Sequence, residues 1–106
     1  MSEKKLSKDL EKALGEFLKD KPQILVVDAI SGLGAVEFYQ DDWHVGIVVA
    51  GSQKGLMIPP GLAFLSASEK AWKYIEESDL PKYYWDLKAM KKNLAKDTTP
   101  FTPVFH

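Results

Sequence analysis

Cysteine and arginine are both absent from this chain of 106 residues. Without cysteine there is no disulfide framework, no zinc ribbon and no thiol nucleophile. Without arginine all 14 basic side chains are lysines, so the chain has no planar fork to grip a carboxylate with two parallel hydrogen bonds. Histidine is scarce, and His44 and His106 are too few and too separated to suggest a metal site or a catalytic dyad. No apolar run approaches the roughly 20 residues of a membrane span. The start Met1-Ser2-Glu3-Lys4-Lys5 lacks a following apolar signal segment, and the cytoplasm is the expected compartment. Neither sign of charge dominates: 14 basic residues stand against 15 acidic ones, for a net charge of -1. That balance gives no electrostatic argument for nucleic acid or an anionic membrane as a partner.

What is present fits one α/β domain. Leu6, Leu10, Ala13, Leu14, Phe17 and Leu18 recur at helical spacing, predicting an amphipathic helix over 3–19 within an N-terminal segment 1–20. Residues 24–27 form a short β-branched run suited to a strand covered on both faces of a parallel sheet. Asp28 to Gly34 is then a polar, glycine-containing turn. Asp41-Asp42-Trp43 suggests a single helical turn capped by an aspartate. Residues 45–50 read as a second buried strand and 62–65 as a third. Ser66 and Glu69 have capping-box spacing for a helix reaching about residue 77. Tyr84, Leu87, Met90 and Leu94 suggest a last helix with a basic outer face. The prolines predict an extended tail over 98–106. The order is helix, three strands, two helices: α/β, with about three strands and flanking helices.

The chemistry concentrates at two strand ends. Asp28 closes the first apolar run, and Lys54 lies in the turn Gly51-Ser52-Gln53-Lys54-Gly55 after the second. Taken singly, Asp28 reads as a turn or cap residue and Lys54 as a solvated loop residue. Together they are the parts expected of a pyridoxal-phosphate site, because a lysine can hold the aldehyde and a carboxylate can hold the ring nitrogen. Ligands of open α/β sheets bind beyond the carboxyl ends of the strands. Ser31 and Ser52 lack a nucleophile elbow, and 46–54 is not a Walker loop.

The composite is more specific than its parts. Val26-Val27-Asp28-Ala29-Ile30-Ser31-Gly32-Leu33-Gly34-Ala35, Asp41-Asp42-Trp43, Val49-Ala50-Gly51-Ser52-Gln53-Lys54 and Pro59-Pro60-Gly61-Leu62-Ala63-Phe64 resemble the class V pyridoxal-phosphate-dependent aminotransferases. The alanine–glyoxylate and serine–pyruvate branch is the nearest likeness, and the resemblance runs from about residue 22 to residue 104. It implies part of the three-layer sheet of a fold type I large domain, with pyridoxal 5'-phosphate as cofactor. It implies a transfer of an amino group from a small amino acid to a 2-oxo acid, and a homodimer with shared sites. By position, Lys54 resembles the Schiff-base lysine, Asp28 the ring-nitrogen partner, Ile30 an aliphatic residue packed on the ring and Gln53 a phosphate ligand. Thr102 corresponds to a residue that reaches the neighbouring subunit's phosphate.

Departures accompany the likeness. Family members are several times longer, with a glycine-containing phosphate loop and a stacking aromatic upstream and a substrate-binding arginine downstream. His44-Val45-Gly46 stands where a glycine and an acid are expected. The sequence therefore reads as a fragment or excerpt of a larger catalyst. Two other readings start from the same scaffold: a non-catalytic binding or assembly module using an open sheet edge, and a stand-alone phosphate-binding domain.

Overall fold

A computed structural model describes residues 3–102, with side chains from Lys8 onward. The chain order is α1 (Glu3–Leu18), β1 (Val26–Asp28), β2 (Ile47–Gly51), β3 (Ala63–Ala67), α2 (Glu69–Glu77) and α3 (Leu87–Leu94). The expected helix–strand–strand–strand–helix–helix order holds. Of the expected tail, residues 98–102 have no regular structure and bend at Thr98, Pro100 and Phe101, while 103–106 lie outside the described residues.

The three strands form one sheet in the order β1-β2-β3. β1 runs parallel to β2, pairing Val27 with Val48 and Asp28 with Val49. β3 returns antiparallel to β2, pairing Ala50 with Phe64 and Gly51 with Ala63. The sheet is therefore mixed, not parallel as the apolar runs suggested. The reason lies in the connection. A parallel return needs a crossover of a dozen or more residues, usually a helix, whereas residues 52–62 form turns around Pro59-Pro60-Gly61 and deliver the chain straight back beside β2.

The strands are also not covered on both faces. In β1 only Val27 points inward, and Val26 and Asp28 are exposed. Val27, Ala29, Trp43, Val45 and Val48 make a small core, with Leu25, Leu33 and Phe38 packed against it. Phe38 and Tyr39 meet the Trp43 ring edge-on, at centroid distances of 5.3 and 5.8 Å. The turn holding Trp43 closes through main-chain bonds from Trp43 to Tyr39 and from Val45 to Gln40, not through an Asp41 or Asp42 cap.

α1 approaches this turn through Gly15, where an added Cβ would overlap the Trp43 carbonyl oxygen. Its apolar stripe remains largely open, with Leu10, Leu14 and Phe17 all exposed. The residue capping α2 is Ser68, two positions later than the capping-box spacing indicated. The Ser68 hydroxyl accepts the Ala71 N–H at 3.2 Å, while Ser66 donates to Gln40 Oε1 at 2.6 Å. Lys70 ties α2 to the end of α1, donating to the carbonyls of Leu18 at 3.0 Å and Gln23 at 2.6 Å. Among the described residues no helix is long and apolar enough to cross a membrane.

Candidate functional site

β1 and β2 point the same way, so their carboxyl ends open on the same side of the sheet. Asp28 is the last residue of β1. Its Oδ1 accepts the Ile30 N–H at 3.0 Å, an Asx turn that fixes the carboxylate. Among the described residues no other hydrogen bond reaches this side chain. The Ala29 N–H donates to Val49 O at 2.9 Å and carries the ladder one step beyond the strand. Two overlapping turns follow, with Leu33 and Val36 donating to the carbonyls of Ala29 and Gly32.

Beyond β2 the chain enters the lysine turn. Lys54 is exposed, and its carbonyl accepts the Met57 N–H at 3.0 Å. Its amine has no hydrogen bond or ion pair among the described residues. The base of the turn is closed by Ser52, which is fully buried. The Ser52 hydroxyl donates to Pro59 O at 2.6 Å and accepts the Leu62 N–H at 3.3 Å. Its main chain adds an N–H bond to Leu62 O at 3.0 Å and accepts from Ile58 N at 3.1 Å.

The two turns meet main chain to main chain. A Cβ on Gly55 would overlap Leu33 O and lie 3.0 Å from Ala35 N, and one on Gly34 would lie 3.2 Å from the Gly55 carbonyl. Gly34 has φ +83°, so the approach needs glycine there for its backbone angle as well. Ile30 and Gln53 converge at the end of β2. A Cβ on Gly51 would lie 3.0 Å from Gln53 Oε1 and 3.6 Å from Ile30 Cγ2. The structure thus brings Asp28, Ile30, Gln53 and Lys54 to adjoining turns.

Asp28, Ala29, Ser31 and Gly32 border an open cleft of about 490 Å³ that Lys8 and Glu37, whose side chains pair at 3.5 Å, also line. Lys54 does not line that cleft. Thr102 stands apart, following Phe101, whose ring packs on Tyr83 and Tyr84 at 5.5 and 4.7 Å. No described hydrogen bond joins it to the strand-end turns. At the end of α1, Glu16 is held below the usual carboxylate value by its hydrogen bond from Lys19 and then by that lysine's charge.

Ser52 and Gly55 were not singled out as site residues from sequence. Between Gly51 and Gln53, Ser52 carries no nucleophile-elbow pattern, and nothing in its immediate neighbours marks it as buried. The available signal was Pro59-Pro60: two residues with no N–H leave the returning arm dependent on a donor from outside.

In sequence and fold the chain is similar to a segment of the class V aminotransferases. It is 43% identical over 82 residues to the L-aspartate–glyoxylate aminotransferase of Paracoccus denitrificans (strain Pd 1222), covering 77% of this chain and 21% of that relative. It superposes on a subgroup IV aspartate aminotransferase from Thermus thermophilus with a TM-score of 0.76 at 32% identity, covering 88% of this chain and 26% of that one. It is also 51% identical over 96 residues to a soluble hydrogenase small subunit of Synechococcus sp. (strain PCC 6716), covering 90% of this chain and 25% of that relative. The chain spans about a quarter of the length of the curated relatives it matches. No protein-family model matches it.

Proposed function

We propose that this chain is the cofactor-anchoring part of a pyridoxal-phosphate-dependent transaminase that moves an amino group from a small amino acid to a 2-oxo acid. The observation that carries the reading is the pair of side chains at the ends of neighbouring strands: a carboxylate fixed through one oxygen, and a lysine amine with no partner of its own. Gly51 lies between Ile30 and Gln53, whose atoms a Cβ there would meet at 3.6 and 3.0 Å, so these two side chains sit together at the end of β2. These features fit pyridoxal 5'-phosphate, which when bound supplies an electron sink for a substrate carbanion.

In this reading Asp28, its carboxylate held by the Asx turn, would hold the ring nitrogen and keep it protonated. Ile30 would pack against the ring and Gln53 would hold the phosphate. Lys54 would hold the aldehyde carbon, and its amine would serve as the group that takes and gives a proton. Thr102 would serve the neighbouring subunit of a homodimer.

Pyridoxal phosphate added to the folded chain should give a visible absorption band, and borohydride should fix the label on Lys54. Lys54→Ala should abolish both. A folded wild-type chain with no band at any cofactor concentration would refute cofactor binding. It would favour an assembly module instead, a reading supported by the outer edges of β1 and β3, which no described strand pairs.

A further inference from the structure

β2 and β3 are neighbours in an antiparallel pair, yet residues 52–62 separate them. Hairpin loops usually span about 2–5 residues, because longer ones carry more chain entropy and fewer internal ties. Something must hold this loop in one shape if Lys54, close to its start, is to present an amine at a fixed place. The loop's own main chain supplies little on the return side. Pro59 and Pro60 have no N–H to donate, and Gly61 has φ +130°, which gives the backbone there no side-chain restraint.

Ser52 fills the gap. Its side chain is 0% exposed and is the only fully buried polar one among the described residues. The hydroxyl gives its proton to Pro59 O, the acceptor that no neighbouring N–H serves, and takes the N–H of Leu62. With the two main-chain bonds to Ile58 and Leu62, one residue ties both ends of the returning arm to the end of β2. The segment left outside these ties is 53–57. It is the segment that carries Gln53, Lys54 and Gly55, the glycine docked on the turn after β1.

We propose that Ser52 is the positioning residue of the lysine turn: its buried hydroxyl locks the loop at its base and so fixes where Lys54 offers its amine. The inference rests on the reading of Lys54 as the cofactor-bonding lysine. It asks of Ser52 no contact with cofactor or substrate.

The test uses the full chain as wild type, Ser52→Ala, Ser52→Cys and Ser52→Thr. Each is incubated with pyridoxal phosphate and reduced with borohydride. The amine nitrogen bonds to the aldehyde carbon, the carbonyl oxygen leaves as water, and hydride fixes the product as a secondary amine. Peptide mass spectrometry then compares label on Lys54 with label on the other lysines, and hydrogen exchange is followed in the same samples. Ser52→Ala should lower the Lys54 preference about tenfold, an effect of about 1.4 kcal/mol, while labelling of other lysines is unchanged. Exchange at Met57 N–H, which bonds to Lys54 O, should quicken while the β2–β3 ladder amides keep their rates. Ser52→Thr, which keeps the hydroxyl, should restore the preference.

A folded Ser52→Ala chain with wild-type preference and wild-type Met57 exchange would overturn the proposal, as would uniform quickening across the ladder. Should the alanine variant not fold, Ser52→Cys, close in volume and weaker as a donor, is judged by the same two outcomes. If wild type itself shows no preference for Lys54, the cofactor reading fails, and the exchange comparison still decides the role of Ser52.

Discussion

The seam between the two strand-end turns can be tested with a matched pair of glycine substitutions. A methyl on Gly55 would overlap Leu33 O and stand 3.0 Å from Ala35 N and 3.1 Å from Leu33 C. Comfortable contacts between such atoms are about 3.5 Å or more, so one turn must retreat by about 1 Å. Forcing extra volume into a closed contact costs about 1–3 kcal/mol. Gly55 is not in the left-handed region, so alanine there also gains about 0.4–1 kcal/mol by narrowing the unfolded ensemble. The net expectation is a loss of about 1–2 kcal/mol. With a urea slope of about 1.5 kcal/mol per molar for a domain of this size, the midpoint should fall by about 1 M. Gly32 is the control, because a methyl there meets only Val36 Cγ2 at 3.6 Å, an ordinary contact. Gly32→Ala should leave the midpoint unchanged or raise it slightly. Parallel urea titrations followed by circular dichroism decide the matter. A Gly55→Ala midpoint equal to or above that of Gly32→Ala would show that the main-chain docking is not there.

The helix-to-turn contact has a similar liability. Gly15→Ala should push α1 away from the Trp43 carbonyl and destabilise the chain by about 1–3 kcal/mol, read as an earlier thermal transition in tryptophan fluorescence. At the same helix end, Lys19 holds the Glu16 carboxyl below its usual range. Because the folded value is depressed, the pair's contribution is present at neutral pH and fades as pH falls through that lowered value. Lys19→Met should move Glu16 back toward its ordinary titration in an NMR pH series, and an unmoved curve would count against the pair.

Much of the fold was legible because it rests on local pattern. The three apolar runs are strands, and residues 3–19 are helical to within one residue. Strand direction was not legible, since an apolar run reads the same either way and only the connection decides. Val26, Phe64 and Leu65 are apolar yet exposed, so burial on both faces did not follow from hydrophobicity. For the site, Asp28 and Lys54 were visible as chemistry at strand ends. Ser52 was not, because its burial depends on where Pro59 and Leu62 arrive, which is a tertiary fact. Gly55 was hidden for the same reason: its role is the absence of a side chain at a contact between segments distant in sequence.

That contact has an evolutionary corollary. Where main-chain atoms of residues 33–35 meet residue 55 directly, the registration of the two turns depends on no particular side chain. Exposed neighbours such as Leu56 and Ile58 can then change without loosening that contact. Two glycines, rather than a set of interlocking side chains, keep the turns in register.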